Sequence, residues 1–107
     1  MGFFDRFKPA DINENLKHVH ETPGAVLLDV READEFAAGH IPGSVNLPLS
    51  VIDTAETLLP DHGAPIFTYC LVGSRSLRAA ANLRAQGYAD VTSIGGIQRY
   101  RGEIEKS

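Results

Sequence analysis

The chain's one cysteine, Cys70, sits in the stretch Tyr69-Cys70-Leu71-Val72-Gly73-Ser74-Arg75-Ser76. A thiol followed by a glycine-containing loop and an arginine could perform nucleophilic chemistry. The thiolate is the reactive form of cysteine, and it is favoured where hydrogen-bond donors or positive charge converge on the sulfur. Two readings of the stretch are open. In the first, Cys70 is a small buried hydrophobe, Leu71 and Val72 form an apolar turn, and Arg75 is solvated. In the second, the N–H groups of the loop from Leu71 to Arg75 curl around the sulfur. Gly73 permits the tight curvature, and a helix beginning near Arg75 adds unpaired amides and the positive end of its dipole.

The elements that must position this loop are legible from pattern. "AVLLDV" (25–30) and "IFTYC" (66–70) are continuous apolar runs of strand length, as expected of strands covered on both faces. "SVNLPL" (44–49) reads as a short strand broken by Pro48, and "DVTSI" (90–94) as the last strand, followed by Gly95-Gly96 as a tight turn. Between them, Asp11 and Glu14 predict a capping box opening a helix from Ile12 to His20. "EADEFAAG" reads as a short helix closed by Gly39, and Val51 to Leu59 as a weak helix. Ser76, Ala79, Ala80 and Leu83 give the clearest helical stripe, over Ser76 to Gln86, with Gly87 as its stop. "IQRYRGEIE" is expected to form a terminal helix. Strands alternating with helices predict one α/β domain over 11–107, preceded by a separate segment 1–10. It has three layers, with a mostly parallel sheet and helices on both faces.

Sites in open α/β sheets gather beyond the carboxyl ends of the strands. That places Asp29-Val30-Arg31, Cys70 and Gly95-Gly96 on one rim, and the second reading of Cys70 gains support. Asp29 suits a bracing hydrogen-bond role there. Arg31 either pairs with Glu35, four residues on, or turns toward the loop and helps hold an anion. Arg75 is expected to shape the loop, and Arg78, one turn later, to face solvent.

Composition narrows the function classes. The 107 residues suffice for one domain, and 43% hydrophobic with 22% charged residues is ordinary for a soluble protein. A formal charge of −4 argues against nucleic acid as a partner. No apolar run approaches a membrane span, and Asp5, Arg6 and Lys8 interrupt any secretory signal, so a cytoplasmic protein with no membrane partner is expected. Phe3, Phe4 and Phe7 are expected to cover one edge of the domain. A single cysteine makes no internal disulfide. The four histidines form no convincing metal set, His18 and His20 lying on different sides of a helix, so neither metal nor cofactor is expected.

The residues "LLDVREADEFAAGHIPGSVNLPL" (27–49), "YCLVGSRSLRAAANLRAQGYADV" (69–91) and "GGIQRY" (95–100) resemble a single-domain rhodanese, from about Asp11 to Tyr100. The Asp-Val-Arg-Glu, Gly-His-Ile-Pro-Gly and Cys-x-x-Gly-x-Arg-Ser patterns occur in the family's order. The resemblance implies a sulfurtransferase that moves sulfane sulfur from thiosulfate or another persulfide to a thiol, cyanide or protein acceptor. It implies that Cys70 carries the persulfide, that Leu71, Val72, Gly73, Ser74 and Arg75 cradle the sulfur, and that Asp29 and Arg31 border and brace the site. His40, Gly43 and Asn46 match positions that shape the fold. Two other classes compete: a non-catalytic interaction module, which usually lacks the cysteine, and a phosphatase or arsenate reductase. Phosphatases sharing this fold place five residues between Cys and Arg; here there are four. Many thiosulfate-using members carry a basic residue directly after the cysteine, where this chain has Leu71, so weak thiosulfate affinity or another persulfide donor is expected. Tyr100 stands where a Trp is common.

Overall fold

Asp11 opens the first helix, its carboxylate accepting from the Asn13 amide at 3.0 Å, and α1 runs Ile12–Glu21. The expected capping box does not close, because Glu14 pairs with Lys17 at 2.9 Å instead of reaching back. The structure, a computed structural model, describes residues 11–107; the expectations for segment 1–10 and its phenylalanines lie outside the described residues. After α1 come β1 (Val26–Asp29), α2 (Ala33–Ala38), β2 (Val45–Asn46), a 3-10 turn (Leu49–Thr54) and α3 (Ala55–Leu58). They are followed by β3 (Ile66–Cys70), α4 (Ser74–Ala85), β4 (Val91–Gly96) and a 3-10 turn (Ile97–Arg99).

The four strands form one sheet in the order β2-β1-β3-β4. All three pairings are parallel. Because side chains alternate along a strand, neighbours in sequence enter different cores. Leu27 and Tyr69 join Ile12, Leu16 and Val19 of α1 on one face. Leu28 and Cys70 join Ala79, Ala80 and Leu83 of α4, with Ile52 and Ala55, on the other. The layered α/β architecture is therefore as the strand–helix alternation predicts.

Several boundaries differ for physical reasons. The 51–59 helix is split: Val51 is non-helical at φ −126°, separating a 3-10 turn from the single turn of α3. Helix α4 starts two residues before the expected Ser76, at Ser74, because Gly73 caps it in the left-handed region at φ +112°. Gly95 and Gly96 continue β4 rather than turning. The terminal helix is absent beyond the Ile97–Arg99 turn. The chain instead extends along α2's exit, where the His40 and Glu105 amides and carbonyls exchange hydrogen bonds of 2.8 Å. Tertiary pairing outcompetes a weak local preference that Gly102 already erodes.

The facing of α4 yields a direct test. Leu83→Ala, in the core, should cost about 3 kcal/mol in denaturant unfolding. Leu77→Ala, on the exposed side of the same helix, should stay within about 0.5 kcal/mol.

Candidate active site

Cys70 is the last residue of β3 and has no exposed surface. Its sulfur is not enclosed by hydrocarbon alone. The Gly73 amide donates to Sγ at 3.0 Å and the Ser76 amide at 3.3 Å. The N–H groups of Ser74 and Arg75, in the first turn of α4, have no acceptor within the helix. The loop therefore turns amides inward, while the side chains of Leu71 and Val72 form its exposed lip.

The loop is seated by contacts around Ser76 and Gly96. The Ser76 hydroxyl donates to the Gly73 carbonyl at 2.9 Å and accepts from Ser93 Oγ at 2.7 Å. Thr68, on the same face of β3 as Cys70, donates to the Ser76 carbonyl at 2.9 Å. On β4, a bulge shifts the register, so that Ser93 pairs with Thr68 but Gly95 pairs with Tyr69 and Gly96 with Cys70. The loop backbone rests directly on Gly96: a methyl there would lie 2.7 Å from Val72 Cα and would overlap the Leu71 carbonyl. The Gln98 amide then pins that carbonyl at 3.0 Å.

Two arginine–carboxylate pairs flank the loop. Asp29, fully buried, accepts from the Arg31 amide at 2.9 Å, from Nε at 3.0 and 3.1 Å, and from Nη2 at 2.7 Å. Nη2 also donates to the Gly39 carbonyl at 2.7 Å. Burial works against the charge of Arg31, but the hydrogen bonds and charge of Asp29 outweigh it and its pKa is raised. Beneath it, burial pushes the Tyr69 hydroxyl up to about 12. Arg75 meets Glu35 of α2 through two hydrogen bonds, 2.8 and 3.0 Å. These bonds, opposed by burial, hold Glu35 down to about 2 from its usual 4.5.

Of the loop residues, Gly73 meets the sulfur through its amide, Leu71 and Val72 expose their side chains, and Arg75 turns to Glu35, while Asp29 holds Arg31 at the neighbouring strand end. The pairing of Arg31 with Glu35 is not realised: Glu35 belongs to Arg75, and the Arg31 guanidinium is held by Asp29 and the Gly39 carbonyl. Sequence reading missed the Ser76 amide, Ser93, the Glu35–Arg75 bridge and the close approach at Gly96. The Ser of Cys-x-x-Gly-x-Arg-Ser was a signal for the first; the others depend on partners distant in sequence. Among the described residues, no group of three or more His, Cys, Asp or Glu is placed to hold a metal, and no helix is long and apolar enough to cross a membrane.

Gly96→Ala should cost about 2–3 kcal/mol of stability in denaturant unfolding, because the loop must lift to admit a methyl. Glu35→Gln makes a second test. The unfolded chain protonates Glu35 first, so the bridge's contribution is full above about pH 4.5 and is lost as pH falls toward about 2. Native and variant unfolding free energies should differ at neutral pH and converge across that window.

A rhodanese-like domain model matches residues 12–103. A thiosulfate sulfurtransferase GlpE of Pseudomonas putida (strain GB-1) is 39% identical over 103 residues, covering 94% of this chain and 88% of the relative. The Bacillus subtilis protein YqhL is 38% identical over 82 residues, which span 76% of this chain and 64% of YqhL. The solved structure of human single-domain sulfurtransferase TSTD1 superposes with a TM-score of 0.71 at 28% identity, covering 81% of this chain and 89% of that one. With its loop cysteine at the sheet rim, the chain belongs to the rhodanese-like domain family and groups with its sulfurtransferases.

Proposed function

We propose that residues 11–107 act as a sulfurtransferase unit in which Cys70 carries sulfane sulfur as a persulfide. The observation behind this reading is the pair of amides, from Gly73 and Ser76, that donate to Sγ. Hydrogen bonds of this kind favour the anionic form of a sulfur over the neutral one.

The Cys70 thiolate attacks the outer sulfur of the donor. A new Cys70–S bond forms, the donor's S–S bond breaks, and its electron pair leaves on a thiolate, or on sulfite when the donor is thiosulfate. The terminal sulfur of the resulting persulfide is an anion that the loop amides stabilise. A thiol, cyanide or protein acceptor then attacks that sulfur, and the Cys70 thiolate is released for another cycle. Neither a metal nor an organic cofactor enters these steps. The four residues between Cys70 and Arg75 make a ring suited to one sulfur atom and crowded for a tetrahedral phosphate. The reading places the protein in the cytoplasm, where a lone thiol stays reduced.

Intact-protein mass spectrometry after incubation with a sulfur donor should show the gain of one sulfur atom by the native chain and none by Cys70→Ser. A native chain that gains no sulfur from either thiosulfate or an organic persulfide would overturn the reading.

A further inference from the structure

We propose that Glu35, acting through Arg75, is a selectivity-determining positioning residue, and that with Leu71 and Val72 it directs the site toward organic persulfides bearing an uncharged, apolar body and away from dianionic donors. The proposal rests on the persulfide reading of Cys70 and adds the class of donor.

A donor such as thiosulfate brings two negative charges and three oxygen acceptors to the mouth. To bind, it needs a cation whose charge is not already answered, and guanidinium is the side chain best shaped for such oxygens. Arg75 is placed for this in the first turn of α4, two residues after the glycine whose amide donates to Sγ. Yet its charge is already answered: Nη1 and Nη2 each donate one hydrogen bond to the Glu35 carboxylate, at 2.8 and 3.0 Å. The charge of Arg31 is answered by Asp29, to which Nε and Nη2 donate, and Nη2 also donates to the Gly39 carbonyl. The loop amides serve the transferred sulfur, so they do not answer the remaining charge. In the loop directly after the sulfur, the side chains of Leu71 and Val72 are 41% and 62% exposed. An incoming dianion would lose water against leucine and meet guanidiniums already neutralised, a costly combination. An alkyl persulfide loses less water and offers its carbon body to these side chains.

The reaction balances without a further reagent: Cys70 thiolate plus R–S–SH gives the Cys70 persulfide, Cys70–S–SH, and the thiolate RS⁻. One S–S bond forms as another breaks, and the single negative charge passes to the leaving group.

The test is single-turnover loading of Cys70, followed by intact mass, with thiosulfate and with benzyl persulfide generated in situ. The native chain should load from benzyl persulfide at least about tenfold more efficiently, a difference of about 1.4 kcal/mol. Glu35→Gln frees Arg75 and should raise the efficiency with thiosulfate about tenfold, through a lower half-saturating concentration, while benzyl persulfide changes less than about twofold. Glu35→Asp should keep the native preference. Val72→Ser should lower loading from benzyl persulfide about threefold. Leu71→Arg, which adds an uncompensated cation at an exposed position and leaves the Glu35 bridge intact, should raise thiosulfate loading about tenfold. Equal losses for both donors in Glu35→Gln would make Glu35 structural and overturn the proposal. So would native loading from thiosulfate as efficient as from benzyl persulfide, or no thiosulfate gain in Leu71→Arg. Failure of both donors to load the native chain would instead overturn the persulfide reading itself.

Discussion

The backbone of Leu71 and Val72 lies against Gly96 with no room for a side chain between them, and the amide cradle depends on that contact. Because the loop can settle onto the end of β4, its curvature is set from below as well as by Gly73. The Gln98 amide holds the Leu71 carbonyl outward, which leaves the following amides facing in. Ser76 closes the arrangement from the helix side, giving its amide to the sulfur and its hydroxyl to the Gly73 carbonyl. Were the loop to stand off the strand, Cys70 would remain a buried thiol in an apolar cluster, with the chemistry of a small hydrophobe.

Charge is arranged around this seat so that little is left over. A buried ion pair is tolerable only when its remaining donors and acceptors are satisfied, and the Asp29–Arg31 pair meets that condition. Asn46 donates to the carbonyls of both residues, at 2.9 Å each, fixing the strand end on which the pair is built. Among the described residues no buried side-chain nitrogen or oxygen lacks a partner. The Glu35–Arg75 bridge lies nearer the surface and ties α2 to the start of α4. Glu35 also accepts from the Glu32 amide at 2.9 Å, so one carboxylate caps its own helix and holds the loop's arginine. Rigidity at the rim and neutrality at the mouth thus share the same bonds.

What could be read from the sequence follows from how local each cause is. The runs at 25–30 and 66–70 announced buried strands because a strand covered on both faces reads as a near-continuous apolar run, in which Asp29 and Thr68 are buried with hydrogen-bond partners. Ser76, Ala79, Ala80 and Leu83 announced α4 because helical spacing is written in consecutive residues. Placing Cys70, Asp29 and Gly95-Gly96 on one rim needed only the alternation of strands and helices. The rest required partners far apart in the chain. Glu35 is four residues from Arg31 and forty from Arg75, so spacing alone pointed to the wrong arginine. Glu105 leaves its expected helix because His40 offers an open backbone edge, which no local pattern records.

The bulge in β4 shows how a small irregularity serves the site. Ile94 is the extra residue, and it packs with Tyr69 in the core beneath α1. Tyr69 is itself anchored there, its hydroxyl accepting from the Ile41 amide at 3.1 Å and lying 3.0 Å from Ser44 Oγ. A regular ladder would have set Gly95 beside Cys70. The inserted residue instead brings Gly96 to that place, and with it the Gln98 amide to the Leu71 carbonyl. Ser93, before the bulge, keeps the orientation that lets it reach Ser76. Adjacent residues of β3 therefore divide the work across the sheet. Tyr69 holds one core in register, and that register decides what meets the sulfur of Cys70 on the other side.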